Sequence, residues 1–128
     1  MNIAFLCVLI ASVMPFVLSA SARAGAIGAG MTFDNHRPRQ SAEQLAGWPQ
    51  RLDWAQRNAL ETLPMFIGAV LMASYARVPQ ATIDLWAMLY VAIRAVYAAC
   101  YLFDLATLRS MVWAASMLVV LRLMVAAL

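Results

Sequence analysis

Four long stretches almost free of charge constrain this chain more than anything else in it. Residues 2–22, NIAFLCVLIASVMPFVLSASA, carry none, and neither do Thr62 to Ala76. Residues 81–103 hold only Asp84 and Arg94, and residues 110–128 only Arg122. A helix needs about 20 apolar residues to cross the hydrocarbon of a bilayer. With 65% hydrophobic and 12% charged residues, against roughly 25% charged in a soluble domain, the chain is too apolar for a water-soluble globule. The patterning predicts an all-α integral membrane protein, a four-helix bundle forming one domain over residues 1–128. Its spans are expected at about 2–22, 57–76, 81–103 and 110–128, with a loop at 23–48.

The net charge of +3 comes from nine arginines and no lysine. Outside the spans, Arg23, Arg37, Arg39, Arg51 and Arg109 fall on the side of the first and third loops and Arg77 alone on the other. The positive-inside rule puts those two loops in the cytoplasm and both termini outside. The arginines therefore report topology, and no nucleic-acid partner is implied. Pro15 would bend the first span without ending it. A cleaved signal peptide is the competing reading, favoured by Ala20-Ser21-Ala22 and opposed by the lack of a positive residue before the apolar run; retention is expected.

The loop 23–48 mixes glycine, proline, charge and amides and has no periodic apolar face. Ser41 and Gln44 suit a capping box for a short surface helix, ended near Gly47, and Pro49 suits the first turn of the next helix. That helix, from about Pro49 to Ala76, would stretch roughly 42 Å, longer than the hydrocarbon requires, so its first turns stand among headgroups. His36 has no second histidine or cysteine beside it, and no metal is expected. Cys7 and Cys100 fall at opposite depths, too far apart for a disulfide.

Chemistry concentrates in Arg51–Pro64, RLDWAQRNALETLP. Arg51, Trp54, Asn58 and Glu61 are spaced to share one helical face, with Asp53 and Arg57 beside it. In the third span Tyr90, Arg94, Tyr97 and Tyr101 share a face in the same way, and Asp84 falls in its first turn. Glu61 lies roughly 7 Å, and Arg94 roughly 13 Å, inside the cytoplasmic boundary. A lone arginine in lipid costs about 3 kcal/mol on insertion scales. Glu61, the one acid on a neighbouring span at similar depth, is its expected partner, in a bridge that either fixes packing or belongs to a site. Guanidiniums, a carboxylate, amides and phenols facing the cytoplasm suit a small ligand bearing carboxylates and an amine.

These residues resemble the MAPEG family, the membrane-associated proteins in eicosanoid and glutathione metabolism, and especially its small bacterial branch. The likeness runs over nearly the whole chain and is most specific in FDNHRPR (Phe33 to Arg39), in GWPQRLDWAQRNALETLP (Gly47 to Pro64), in Arg94 and Tyr101 standing seven apart, and in Arg109 and Ser110 opening the fourth span. The resemblance implies a homotrimer in a bacterial inner membrane, with glutathione bound between subunits near the cytoplasmic face. It places Asn58 and Glu61 on the tripeptide's polar groups, Arg94 and Tyr101 deeper, and Arg109 as the catalytic residue stabilising the thiolate. Tyr97 joins the ligand-binding set from the same face. Trp54 stands where the eicosanoid enzymes carry an arginine, leaving Arg51 or Arg57 to supply that charge, and Trp113 stands where the prostaglandin synthase branch has a tyrosine. The implied function is a glutathione transferase or peroxidase acting on lipophilic electrophiles; the alternatives are a non-catalytic ligand-binding or scaffold protein of the same fold and a pore.

Overall fold

The computed structural model describes residues 2–128, and they form five helices: α1 (Ile3–Gly28), α2 (Pro38–Glu43), α3 (Gly47–Tyr75), α4 (Gln80–Leu102) and α5 (Ala106–Val125). Among the described residues there is no strand. By length and composition α1, α4 and α5 suffice to cross a membrane. α3 is the longest, 29 residues, but Arg51, Asp53, Arg57 and Glu61 crowd its first half, and its apolar part is the second.

Small residues bring the helices together. α1 buries Ala4, Cys7, Ala11, Pro15, Ala22 and Ala26, a seam of short side chains repeating every three, four or seven residues. Against it α3 sets Ala69, Val70 and Ala73, all fully buried. In lipid, where no hydrophobic drive separates helix from solvent, such close backbone approach is what holds helices together. Phe66 and Tyr90 fill the centre, their rings stacked 3.9 Å apart, with Ile83 and Ala87 of α4 and Val119, Val120 and Leu123 of α5 around them. Both cysteines are free and buried.

The first helix runs six residues beyond the expected span, so Arg23 and most of GAIGAG, expected in the loop, are helical. Ala22 and Ala26 continue the small-residue seam and pack with Leu45 and Leu52 in a second, smaller core. Glycine ends the helix only at Gly30, where φ is +88°. The connection narrows to residues 29–46 and contains α2. Ser41 is not the cap of that helix; Arg37 precedes it without a side-chain bond. Instead Ser41 Oγ accepts from the Asp34 amide at 3.1 Å and is buried, pinning the loop to α2.

The turns between α3, α4 and α5 use one device. After α3, Arg77 N donates to Ser74 O and Val78 N to Ala73 O; after α4, Asp104 N donates to Tyr101 O and Leu105 N to Cys100 O. This pattern satisfies the last carbonyls and requires a left-handed residue just past the helix. Arg77 and Asp104 fill that role, each with φ near +58°. Asp84 lies in the second turn of α4 rather than the first, because α4 starts at Gln80. Its Oδ1 accepts from the Ala4 amide at 2.8 Å, so α4 supplies a carboxylate to the positive N-terminal end of α1.

Candidate functional site

Where the first half of α3 meets the end of α4 and the start of α5, Asn58, Tyr97, Tyr101, Arg109, Ser110 and Trp113 line a cavity of about 280 Å³. Each element contributes for a local reason. α3 presents Asn58 one turn before Glu61. α4 presents Tyr97 and Tyr101 four residues apart, and their rings meet edge to face at 5.3 Å. α5 begins at Ala106 without a side-chain cap, so its first-turn N–H groups and Arg109 both make this end electropositive. The Arg109 guanidinium stands over the Tyr101 ring, 4.4 Å from its centre. Trp113 follows Arg109 by one turn and closes the apolar wall.

Behind this wall lies Arg94, only 3% exposed. Its guanidinium stacks over the other ring of the aromatic pair, 4.3 Å from the Tyr97 ring centre. Its Nη2 donates to Asn58 Oδ1 at 2.9 Å, and Asn58 Nδ2 donates to Glu61 Oε2 at 3.3 Å. The expected Arg94–Glu61 bridge is therefore absent; Asn58 stands between the two charges and joins them. Glu61 is exposed on the outer edge of α3, because one helical turn carries it past the face that α4 covers. Arg94 Nη1 is buried with no partner, a costly arrangement for a charged donor.

Two expected ligand residues are engaged elsewhere. Arg51 donates through Nε to Tyr101 O at 2.9 Å and through Nη2 to Leu102 O at 3.1 Å, so its charge meets the negative end of α4 rather than the cavity. Arg57 pairs with Asp53 at 2.9 Å on another face of α3, where the two line a separate polar cavity of about 570 Å³ with Arg23, Arg39 and Glu43. Asn58, Tyr97, Tyr101 and Arg109 are brought together as expected; Arg94 stands behind them, Glu61 at their edge, and Arg51 and Arg57 apart.

Ser110 and Trp113, which the resemblance marks without giving them a ligand role, line the cavity; Trp113 stands four residues after Arg109 and three after Ser110, so it shares their side of α5. One contribution is not marked in the sequence. Thr62, one turn beyond Asn58, receives the Tyr90 hydroxyl at 3.2 Å while donating to Asn58 O at 3.1 Å, which ties the phenol at the centre of the core to the backbone beneath the site. A threonine four residues after an asparagine carries no distinct signal by itself.

Neither curated proteins nor solved structures supply a match to the chain. The family model described as MAPEG family matches residues 3–128, essentially its whole length. An all-helical integral membrane protein with these helices and this match belongs to the MAPEG family, the membrane proteins of glutathione and eicosanoid metabolism.

Proposed function

We propose that the protein binds glutathione in the Asn58–Tyr97–Tyr101–Arg109 cavity and, as a transferase or peroxidase, activates its thiol toward lipophilic electrophiles. The observation that carries this reading is Arg109 held over Tyr101 at the N-terminal end of α5, on the rim of a cavity that no carboxylate lines. A guanidinium and a helix N-terminus beside one another favour an anion, and a thiolate is the nucleophilic form of a thiol. In the transferase reaction the thiol proton leaves to water, a sulfur lone pair forms the new C–S bond, and the electrophile's leaving group departs with its bonding electrons. In the peroxidase reaction the thiolate sulfur attacks the outer oxygen of the hydroperoxide, the O–O bond breaks and the alcohol leaves with the bonding electrons and takes up a proton; the thiol of a second glutathione then attacks the resulting sulfenic acid, giving the disulfide and water.

The same reading carries the assembly and topology. All four long helices cross the membrane, with the polar start of α3 among inner-leaflet headgroups of a bacterial inner membrane, the first and third loops in the cytoplasm and both termini outside. At about 280 Å³ the cavity sits just below the roughly 300–1,000 Å³ usual for small-molecule sites. A tripeptide would overhang it, and a neighbouring copy in a homotrimer would supply the missing wall. The non-catalytic reading has its own support: Arg51 and Arg57, the cations expected to make up for Trp54, are engaged outside the cavity.

Purified protein in detergent, titrated with glutathione, tests both. Binding accompanied by thiolate absorbance and by conjugation of a model electrophile is the expected result. Binding without a thiolate signal assigns the scaffold role, and no binding removes both. Arg109→Ala is expected to lower thiolate absorbance and turnover by about a hundredfold, the effect of removing one charge-stabilising donor, while glutathione still binds; wild-type turnover in that variant would reject the role.

A further inference from the structure

We propose that Arg94 is a positioning residue that never touches the ligand: together with Glu61 it locks the Asn58 amide so that an N–H, and not a carbonyl, faces the cavity. The inference rests on the glutathione reading only for the identity of what that N–H receives. An asparagine amide has a donor end and an acceptor end, and in isolation either can point either way. Here its neighbours have fixed polarity. A guanidinium offers only donors, so the atom 2.9 Å from Arg94 Nη2 has to be the oxygen. An ionised carboxylate only accepts, so the atom 3.3 Å from Glu61 Oε2 has to be the nitrogen. Reversing the amide would set N–H against N–H on one side and oxygen against carboxylate on the other.

The lock leaves one Nδ2–H for the cavity that Asn58 lines. The group received there must accept a hydrogen bond: a carboxylate or peptide carbonyl fits and an ammonium does not. It also accounts for a buried guanidinium that has no carboxylate partner and does not line the cavity. The charge holds the amide, and it stacks on Tyr97 while Arg109 stacks on Tyr101.

Two arms test this, one without ligand. The asparagines of the chain are Asn2, Asn35 and Asn58, so protein labelled with ¹⁵N at asparagine gives few side-chain amide signals, and Asn58→Ala identifies the relevant pair. In the wild type these protons should exchange slowly; in Arg94→Met exchange should quicken at least about tenfold, the loss of one charge-assisted bond, and Arg94→Lys, which still offers only donors, should restore most of the protection. Unchanged exchange in Arg94→Met would overturn the proposal. In the second arm, glutathione affinity should fall about tenfold in Arg94→Met but by less than about twofold when the same change is made in Asn58→Ala, the non-additivity of residues acting as one unit. Equal losses in both backgrounds would make Arg94 a direct ligand contact and refute the positioning role. A wild type that fails to bind glutathione would reject the functional reading alone, because the exchange arm still decides the lock. Replacing a buried, incompletely paired cation by an apolar side chain of similar length is often neutral for folding. Should Arg94→Met nonetheless fail to fold, Arg94→Lys against Asn58→Asp decides: the aspartate keeps an acceptor for Arg94 but has no N–H, so it should lose affinity while Arg94→Lys keeps it, and the reverse order would refute the lock.

Discussion

Arg51 offers the sharpest separation between a residue that builds the site and one that binds in it. Its two bonds to Tyr101 O and Leu102 O, at 2.9 and 3.1 Å, act on the last turn of the helix that carries the cavity's tyrosines. Tyr101 O also accepts from Asp104 N at 3.2 Å, so its share of the loss is small. Leu102 O has no backbone donor beyond the helix and depends on Arg51. A hydrogen bond from a charged donor contributes about 1.5–3 kcal/mol, and a cation beside a helix C-terminus about 0.3–1 kcal/mol more. Arg51→Met keeps most of the side-chain stem and removes both, so a loss of about 2–3 kcal/mol is expected, or roughly 10 °C in midpoint for a chain of this size. Thermal unfolding in detergent reads the first effect and glutathione titration well below the midpoint reads the second. Affinity should stay within about threefold, because a direct charged contact would be worth about tenfold or more. A midpoint unchanged within about 2 °C together with a tenfold loss of affinity would refute this reasoning, and would return Arg51 to the ligand.

Two further perturbations address packing and backbone. A Cβ at Gly25 would fall inside the Trp48 indole; since Trp48 is 42% exposed the ring can swing outward, and Gly25→Ala should cost about 1 kcal/mol, a cost that disappears in a Trp48→Ala background, where alanine's better helix propensity is left alone. An equal cost in both backgrounds would deny the contact. Arg77→Gly should stabilise by about 1 kcal/mol by relieving a left-handed backbone, and Asp104→Gly by less, since a short polar side chain tolerates that conformation better; equal or reversed midpoint shifts would show that the strain lies elsewhere.

These positions also show what the amino-acid order makes legible. Membrane class, the helical character, the second half of α3 and nearly the whole of α4 and α5 follow from runs almost free of charge, because nothing in lipid competes with the helix for backbone hydrogen bonds; the first half of α3 follows from Pro49 and the three- and four-residue spacing of its polar face. The end of α1 does not follow. Gly25 and Gly28 resemble a loop on local propensity, yet Gly25 is the position where the Trp48 ring needs space, and such a tertiary demand leaves no local trace. Arg77 and Asp104 hide in the same way, as left-handed residues without the usual glycine. In the site, periodicity alone put Tyr97 and Arg94 on one face of α4 and Asn58 and Glu61 on one face of α3. Pairing Arg94 with Glu61 failed because a depth estimate counts residues along each axis and says nothing of azimuth. The two helices meet at Asn58 and Thr62, and Glu61 lies one step round the cylinder, outside the contact.

That offset decides the electrostatics of the cavity. A carboxylate in direct contact with Arg94 would neutralise it, and the pocket would hold little attraction for an anion. As built, Arg94 and Arg109 are met instead by the faces of Tyr97 and Tyr101. A ring face offsets about 0.5–2 kcal/mol, well short of what a buried cation loses in leaving water. Among the described residues the one ion pair, Arg57 with Asp53, lies on another face of α3. The cavity is thus left with a deficit of negative charge that the chain's own side chains do not fill, and an anion entering it would relieve that deficit. Moving a carboxylate onto the α4 face by Thr62→Glu should therefore weaken glutathione binding even though it adds a partner for Arg94. An affinity that rises in that variant would mean that Arg109 serves packing rather than capture.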